Sequence, residues 1–338
     1  MFVAWRDLRF AKGRFALMGT VVVLMTLLVG LLSGLTAGLA EQSTSAITGL
    51  KADHLAFAAT DGKLSFGQST VTSEQAAQLA RVPGVTSADL MSIQTVNATS
   101  GAHTAAVSAF GVARQAGDTV VLSTGAADAL SLREGDKFTL SGRPVTVAAV
   151  SGDASFSHTP VVWTSLSGTT GTVVALTTTD PSALAAADAR LGTRTVEKAD
   201  ALSAIGSYSA ENGSLQLMRG FLFAISALVI GAFFTVWTIQ RSRDIAVLKA
   251  LGATTKYLLR DALGQAVLLL AGGTALGTGL AAALGAIAAG TVPFVLNPAT
   301  LLAPAAVLVV LGMLGAALAV RRITSVDPLT ALTSGAPA

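Results

Sequence analysis

Long apolar stretches separated by polar segments dominate the pattern of this chain. The stretch from Phe15 to Ala40 has 26 residues without Asp, Glu, Lys or Arg, and the stretch from Gly220 to Gln240 has 21. A further 59 residues without these side chains run from Ala262 to Val320. Because an α-helix needs about 20 apolar residues to cross a hydrocarbon layer of about 30 Å, each of the first two stretches predicts one membrane span.

The third stretch is too long for a single crossing. Pro293, Asn297 and Pro298 interrupt it near the middle, which is typical of a helix end followed by a turn. A cleavable signal peptide is the alternative for the first stretch, but its apolar run exceeds the usual length of about 7–15 residues. The pattern therefore predicts four transmembrane helices, at 15–40, 216–240, 261–290 and 300–320.

The distribution of charge predicts how these helices are oriented. Residues 1–14 carry four Lys or Arg, the 241–260 loop carries five, and Arg321 and Arg322 follow the last span. The long segment 41–215 instead carries ten basic against fifteen acidic residues. Because short basic loops stay in the cytoplasm, we expect both termini (1–14 and 321–338) and the 241–260 loop inside, and 41–215 outside.

The segment 41–215 reads as an α+β domain. Gln75 to Arg81 predicts an amphipathic helix that Pro83 and Gly84 end. Alternating patterns predict strands at Val85–Ala98, Ala105–Val112, Lys137–Leu140, Pro144–Val150 and Thr172–Thr178. Helical patterns at Glu41–Leu50 and from about Val196 to Leu217 predict that spans one and two extend beyond the bilayer as a stalk. The predicted fold is four transmembrane α-helices with an α+β extracytoplasmic domain inserted between helices 1 and 2.

Composition narrows the functional classes. The chain is 52% hydrophobic and only 12% charged, about half the charge of a soluble domain, which indicates a membrane protein. It has no cysteine, which excludes disulfides and thiolate chemistry. His54, His103 and His158 lie in no metal-ligand spacing, and each is interpreted as a surface or turn histidine. We predict no catalytic residue, no metal site and no bound cofactor.

A phosphate-binding loop is also missing from the sequence. The pattern GxxxxGK[ST] does not occur; the only Gly-Lys pair, Gly62-Lys63, lacks the first glycine and the final Ser or Thr of that motif. The chain therefore cannot be its own P-loop ATPase.

Small residues are frequent in the third and fourth spans. Gly273 and Gly277 form a GxxxG pattern, which predicts close packing of helices within one subunit. Arg219 and Asp261 stand at span ends, and the sequence has no formal charge deeper in the predicted spans. This pattern disfavours a proton relay or an ion-coupled transporter.

The loop from Gln240 to Thr254 is the most informative segment, and it reads QRSRDIAVLKALGAT. Ile245, Leu248 and Gly252 follow helical spacing, so a short helix would present an apolar stripe beside a basic face and end at the glycine. The residues alone also allow a simple topological anchor of positive charge. The segment resembles the coupling-helix signature of FtsX/MacB-type (type VII) ABC transporter permeases, with Asp244 in place of the usual Glu.

Other segments extend this resemblance along the chain. The ending SVDPLTAL, after Arg321 and Arg322, is similar to the terminal motif of these permeases. The opening Ala4–Arg9 resembles their N-terminal amphipathic helix, and Leu132–Leu140 is similar to a common segment of their outer domain. The loop and tail motifs are specific, whereas the match in the outer domain is weak.

The resemblance implies a transport subunit that works without enzymatic activity of its own. It implies a permease homodimer in the lipid membrane, joined to a separate cytoplasmic ABC ATPase that binds ATP-Mg and moves the outer domain by mechanotransmission. No nucleic acid is implied as a partner. The residues expected to couple to the ATPase are Arg241, Arg243, Asp244, Ile245, Leu248, Lys249 and Gly252.

Among these permeases the chain is most similar to HrtB-type haem exporters, which implies haem as a substrate. Residues in or beside spans one and two that are candidates for binding haem are Met25, Glu41, Tyr208, Glu211, Met218 and Phe221. The plain alternatives are packing methionines, an interfacial tyrosine and solvated acids. Other functions also stay open: export of a glycolipid, lipoprotein or drug, or FtsX-like regulation of a cell-wall hydrolase.

Overall fold

A computed structural model describes residues 12–113, 115, 117–240, 247, 252, 254–289 and 291–324. These residues form two compact units. One unit, here called the helical unit, comprises the described residues of 1–38 and 215–338. The other, here called the inserted domain, comprises residues 39–214.

Regular elements cover most of both units. The helices are α1 (Lys12–Thr48), α2 (Ser73–Leu79), α3 (Thr124–Leu130), α4 (Leu184–Leu191), α5 (Lys198–Ala201), α6 (Gly206–Gln240), α7 (Thr255–Ala288) and α8 (Pro298–Thr324). The strands are β1 (His54–Ala58), β2 (Val71–Thr72), β3 (Val85–Ser100), β4 (His103–Val112), β5 (Thr119–Leu122), β6 (Lys137–Leu140), β7 (Arg143–Val150), β8 (Ser155–Phe156), β9 (Thr159–Ser165), β10 (Thr170–Gly171), β11 (Val173–Thr178) and β12 (Thr193–Glu197).

Four helices, α1, α6, α7 and α8, are long and apolar enough to cross a membrane. The α+β domain lies between the first and second of them in the chain, which confirms the predicted fold class. The helix continues through Glu41 as far as Thr48, as predicted. The helical pattern expected from about Val196 begins at Lys198, because Val196 itself pairs with Leu55 in the sheet. It consists of α5, a 3-10 turn at Leu202–Ala204 and then α6 from Gly206.

The helical unit is held by close contact between helices. Its buried core includes Val22 of α1, Phe234 and Trp237 of α6, Leu270 of α7 and Ala316 of α8. The break between α7 and α8 lies where the Pro and Asn cluster predicts it, and Asn297 Oδ1 accepts a hydrogen bond from Ala299 N at 3.0 Å. The cluster therefore ends one helix and caps the next.

The inserted domain is built around one exceptionally long strand, β3. The amino-terminal part of β3 pairs with β11 in an open sheet of order β12-β1-β11-β3. Its carboxy-terminal part belongs to a closed ring of six strands, β3-β4-β9-β5-β7-β6, which the pairing of Ala98 with Leu140 completes. Because a closed ring has no free edge, this end of the domain exposes no unpaired strand in the ring.

Separate apolar cores fill the two parts of the inserted domain. Leu122, Leu130 and Phe138 lie in the core of the ring. Leu79 of α2 and Leu184 of α4 pack on the open sheet. A third core contains Ile47 of α1 together with other residues of the sheet, so the end of α1 is anchored in the inserted domain. All five strands predicted from the sequence are present, within two residues at their ends.

Candidate functional site

Met25, a predicted haem-binding residue, lies where α1 contacts α6 in the helical unit. Its side chain is half-buried, and Ser226 Oγ donates a hydrogen bond to Met25 Sδ across 3.6 Å. Ser226 itself is fully buried. A hydroxyl in an apolar interior needs a partner, and the Met25 sulfur is a weak acceptor for the Ser226 hydroxyl.

The other two candidates of the helical unit are Met218 and Phe221, near the beginning of the apolar part of α6. Their side chains are 50% and 60% exposed, respectively. Both are therefore free of the core of this unit, and they are available to lipid, to a partner or to an amphiphilic ligand.

The neighbours of Met25 on α1 lie in close contact with α7. A Cβ atom at Gly277 would lie 2.7 Å from Thr26 Cβ and 2.7 Å from the Val23 carbonyl oxygen. At Gly273 it would lie 2.7 Å from Val22 Cγ1. The GxxxG pattern thus serves helix packing within the subunit, as its spacing predicted.

The remaining candidates, Glu41, Tyr208 and Glu211, belong to the inserted domain. Glu41 is exposed on α1. Tyr208 is half-buried and packs against the core that contains Ile47. Glu211 is engaged by a histidine, because its Oε1 and Oε2 atoms lie 2.9 and 3.0 Å from His158 Nε2.

His158 also reaches α1 of the same unit, where its Nε2 atom lies 3.0 Å from Ser43 Oγ. The prediction of a surface or turn histidine was correct for His158, which lies in the two-residue loop between β8 and β9. It was wrong for His54, which lies in β1 with its Nδ1 atom buried. Sequence reasoning missed the link of His158 to Glu211 and Ser43, because these residues are widely separated in the chain. The contact of Ser226 with Met25 was missed for the same reason.

The predicted coupling loop lies largely outside the described residues. This applies to Arg241, Arg243, Asp244, Ile245, Leu248 and Lys249. Gly252 has a φ of +95°, the left-handed conformation that a glycine ending a helix adopts. Thr254 then caps α7, and its side chain accepts a hydrogen bond from Tyr257 N at 3.3 Å.

Among the residues that the structure describes, the titratable side chains form no cluster suited to metal binding. In the part of the chain that the structure describes, no group of three or more His, Asp or Glu side chains could hold a metal ion. Asp136, which follows Gly135, has a local role, because its Oδ2 atom accepts a hydrogen bond from Arg133 N at 2.8 Å. Gly135 supplies the positive φ, +89°, that this turn requires.

Comparison with known proteins defines the class. Residues 217–328 match the family described as FtsX-like permease C-terminal. A protein of Staphylococcus haemolyticus, provisionally named hemin transport system permease protein HrtB, is 26% identical over 98% of this chain and 99% of its own. A protein of Staphylococcus epidermidis with the same provisional name is 24% identical over 99% and 100%.

Among solved structures, the extracellular domain of the ABC-type transporter YknZ from Gram-positive bacteria aligns with a TM-score of 0.34 and 14% identity. The alignment covers 44% of this chain and 99% of that domain.

Residues 217–328 are an FtsX-like permease domain of the ABC transporter type, and the four long apolar helices support a multi-pass membrane protein. Over its whole length the chain is homologous to the HrtB permeases. Its class implies a partner ATPase.

Proposed function

We propose that this permease moves haem out of the membrane, driven by a separate ATPase. The observation that carries this proposal is the similarity to proteins named for hemin transport, which extends over 98% of this chain and 99% of the first relative. Similarity of that extent includes the inserted domain as well as the helices. A relationship confined to the common permease domain would leave the substrate class open.

The chemistry of haem agrees with the residues of the helical unit. Haem has an apolar ring and two carboxylates, so it partitions into membranes and needs apolar surroundings with a ligand for iron. Met25, Met218 and Phe221 supply two thioethers and an aromatic ring, and thioethers ligate haem iron in some proteins. A thioether sulfur has two lone pairs, so the hydrogen bond from Ser226 leaves one pair of Met25 for iron.

In the inserted domain, Glu41, Tyr208 and Glu211 are proposed as a separate set of polar partners for ferric iron or the propionates. Glu41 follows Met25 by 16 residues on α1, about 24 Å along the helix, so the two residues could not hold the same iron. A phenolate is a known haem ligand, which supports Tyr208. Glu211 is already held by His158, so it would have to exchange this partner in order to bind iron. This engagement makes Tyr208 the stronger of the two candidates.

Binding of haem is tested on the purified full-length chain by absorption spectroscopy. We expect hemin to give a Soret band at a fixed stoichiometry, and Met25→Leu and Tyr208→Phe to weaken or shift it. Met18→Leu is the matched control, because Met18 lies two turns earlier on α1 and is buried in the core of the helical unit. If Met25→Leu and Met18→Leu behave alike, Met25 is not a ligand.

Function in cells is tested by haem tolerance. A haem-sensitive strain that lacks its own exporter should regain growth on hemin when it expresses this chain together with its ATPase. If the chain protects the cells from a drug but not from hemin, drug export is supported instead. If deleting the chain lowers cell-wall hydrolase activity and leaves haem tolerance unchanged, regulation of a hydrolase is supported.

We further propose that the ATPase binds the 241–260 loop in the cytoplasm. Leu248→Asp should then abolish capture of the ATPase from solubilised membranes. Leu296→Asp is the matched control, because Leu296 is a 43% exposed leucine in the linker between α7 and α8. Equal capture by both variants would contradict the assignment.

The proposed orientation can be tested in intact cells because the chain has no native cysteine. An impermeant maleimide should label Lys63→Cys, in the inserted domain, and not Lys256→Cys, beside the 241–260 loop. Both positions are exposed. Labelling of Lys256→Cys alone would show that the chain has the opposite orientation.

A further inference from the structure

The two-residue turn between β8 and β9 has an unusual backbone. Ser157 and His158 have φ values of +51° and +63°, both in the left-handed region. Two-residue hairpin turns of this kind favour Asn and Gly, because a Cβ atom disfavours positive φ. The turn between β6 and β7 follows that preference, with Ser141 at +51° and Gly142 at +81°. A histidine in place of glycine indicates that its side chain is used.

The turn binds α1 through its backbone and its histidine. Ser157 N donates to the Ser43 carbonyl oxygen at 3.1 Å, and His158 N donates to the Gln42 carbonyl oxygen at 3.3 Å. His158 Nε2 lies 3.0 Å from Ser43 Oγ, on a residue that is fully buried. These contacts fix the position of α1 along the hairpin.

The same two residues bind α6. Ser157 Oγ lies 2.9 Å from Ser207 Oγ, and His158 Nε2 lies 2.9 Å from Glu211 Oε1. The His158 and Glu211 side chains are 30% and 42% exposed, so water can reach this pair. Ser207 and Glu211 stand one helical turn apart, which places both on the face of α6 that meets the turn.

We propose that the Ser157–His158 turn is the element that locks the register of α1 against α6 within the inserted domain. Both helices also contribute to one apolar core, through Ile47 and Tyr208. Apolar packing is non-directional and permits sliding, whereas hydrogen bonds to fixed partners do not. Lys198 differs from the turn, because its Nζ donates to the Thr48 and Leu50 carbonyl oxygens and so fixes the end of α1 alone.

This role rests on the proposed function in one respect: a locked register is useful because α1 and α6 continue into the helical unit, where the ATPase would act. Ser157 and His158 are thus positioning residues that make the inserted domain follow both helices together. They do not touch the residues proposed to ligate haem, except that His158 holds Glu211.

The test replaces the Ser157–His158 turn by a turn sequence that favours the same backbone conformation but lacks the side chains that contact α6. The double variant Ser157→Asn/His158→Gly creates the Asn-Gly sequence that such turns prefer, so the hairpin is expected to stay formed. It removes the imidazole and the serine hydroxyl that reach α6. Ser141→Asn is the matched control, because it makes the same change in the Ser141–Gly142 turn.

The readout is a distance between spin labels on the two helices in full-length protein in lipid nanodiscs. Thr48→Cys and Ala210→Cys are exposed, and the chain offers no other cysteine to react. We expect a single narrow distance distribution in the parent and in Ser141→Asn. The double variant should give a broader distribution or a second distance. An unchanged distribution in the double variant would overturn the proposal.

A second readout separates this proposal from the proposed function. In the complex with the ATPase, hemin should stimulate ATP hydrolysis by the parent, and the double variant should lose that stimulation. It should keep both the rate measured without hemin and the Soret band, which excludes an effect of His158 on haem binding through Glu211. If hemin fails to stimulate the parent, the substrate proposal fails and the label distances still decide on the turn. If stimulation survives in the double variant, the turn does not transmit the movement.

Discussion

The helical unit and the inserted domain treat large apolar side chains in opposite ways. In the inserted domain Phe57 and Phe110 are 0% exposed. In the helical unit Leu228 is 75% exposed and Ile287 is 78% exposed. The inserted domain hides its apolar side chains as a domain in water must, whereas the helices present theirs outward, as helices in lipid do.

This difference indicates that the two units are stabilised by different physical terms. Burial of side chains stabilises the inserted domain, because water surrounds it. Lipid is as apolar as leucine, so the helical unit depends on close approach of backbones at residues such as Gly273 and Gly277. Equivalent substitutions should therefore have different effects in the two units.

The largest expected difference concerns Leu→Ala. Leu122 is fully buried in the core of the strand ring, so Leu122→Ala should lower the free energy of unfolding by about 2–5 kcal/mol. Leu228→Ala changes a side chain that is already exposed, and we expect little loss of thermal stability in nanodiscs. A loss of stability in Leu228→Ala as large as in Leu122→Ala would contradict this difference between the units and indicate that a protein partner covers Leu228.

Gly→Ala substitutions on α7 test whether close backbone approach stabilises the helical unit. A Cβ atom at Gly277 would press on backbone atoms of α1, so Gly277→Ala should destabilise by about 1–3 kcal/mol. At Gly279 a Cβ atom meets nothing within 4 Å, and alanine should stabilise the helix by up to about 1 kcal/mol. Thermal unfolding of both variants in one detergent measures this. Shifts of the same sign would contradict the packing account.

A smaller effect is expected at the start of α2. Thr72 Oγ1 accepts a hydrogen bond from Gln75 N at 3.1 Å, and Gln75 Oε1 accepts one from Thr72 N at 2.8 Å. Thr72→Ala removes one half of this capping box and should lower stability by about 1 kcal/mol. Thr60→Ala, at an exposed position, is the control in the same denaturation experiment.

The smallest effect is a dependence on pH at Asp180. A hydrogen bond from Ser182 N, at 2.9 Å, and then the Ser182 hydroxyl lower the pKa of the Asp180 carboxyl below its ordinary value. A depressed pKa contributes stability above the unfolded pKa, and that contribution disappears as pH falls through the folded pKa. The stability of Asp180→Ala should therefore differ from that of the parent at neutral pH, and the difference should begin to shrink only as the pH falls below about 4. Parallel curves over this range would refute the assignment.

Patterns of hydropathy predicted the four helices and five of the strands (β3, β4, β6, β7 and β11), because their signals are local. They did not reveal β9, where Pro160 weakens the strand signal. They also missed the shorter strands β1, β2, β5, β8, β10 and β12. They did not predict that six strands close into a ring, because the pairing of Ala98 with Leu140 joins residues that are far apart in the sequence.

The candidate site divides in the same way. Residue type and position on or beside a span made Met25, Tyr208 and Glu211 candidates, but the partners of Met25 and Glu211 come from distant segments. The sequence gives no sign of the role of Ser226. For His158 the only sign is its residue type, a histidine at a position where a tight hairpin turn favours glycine.

Haem transfer in proteoliposomes that contain this permease and its ATPase tests the central claim most directly. Haem is placed in the membrane, and an acceptor protein for haem is added on the side opposite the ATPase. The account predicts that ATP accelerates transfer to the acceptor, that a non-hydrolysable analogue does not, and that Met25→Leu slows transfer where Met18→Leu does not. Active ATP hydrolysis with an unchanged rate of haem transfer would contradict it.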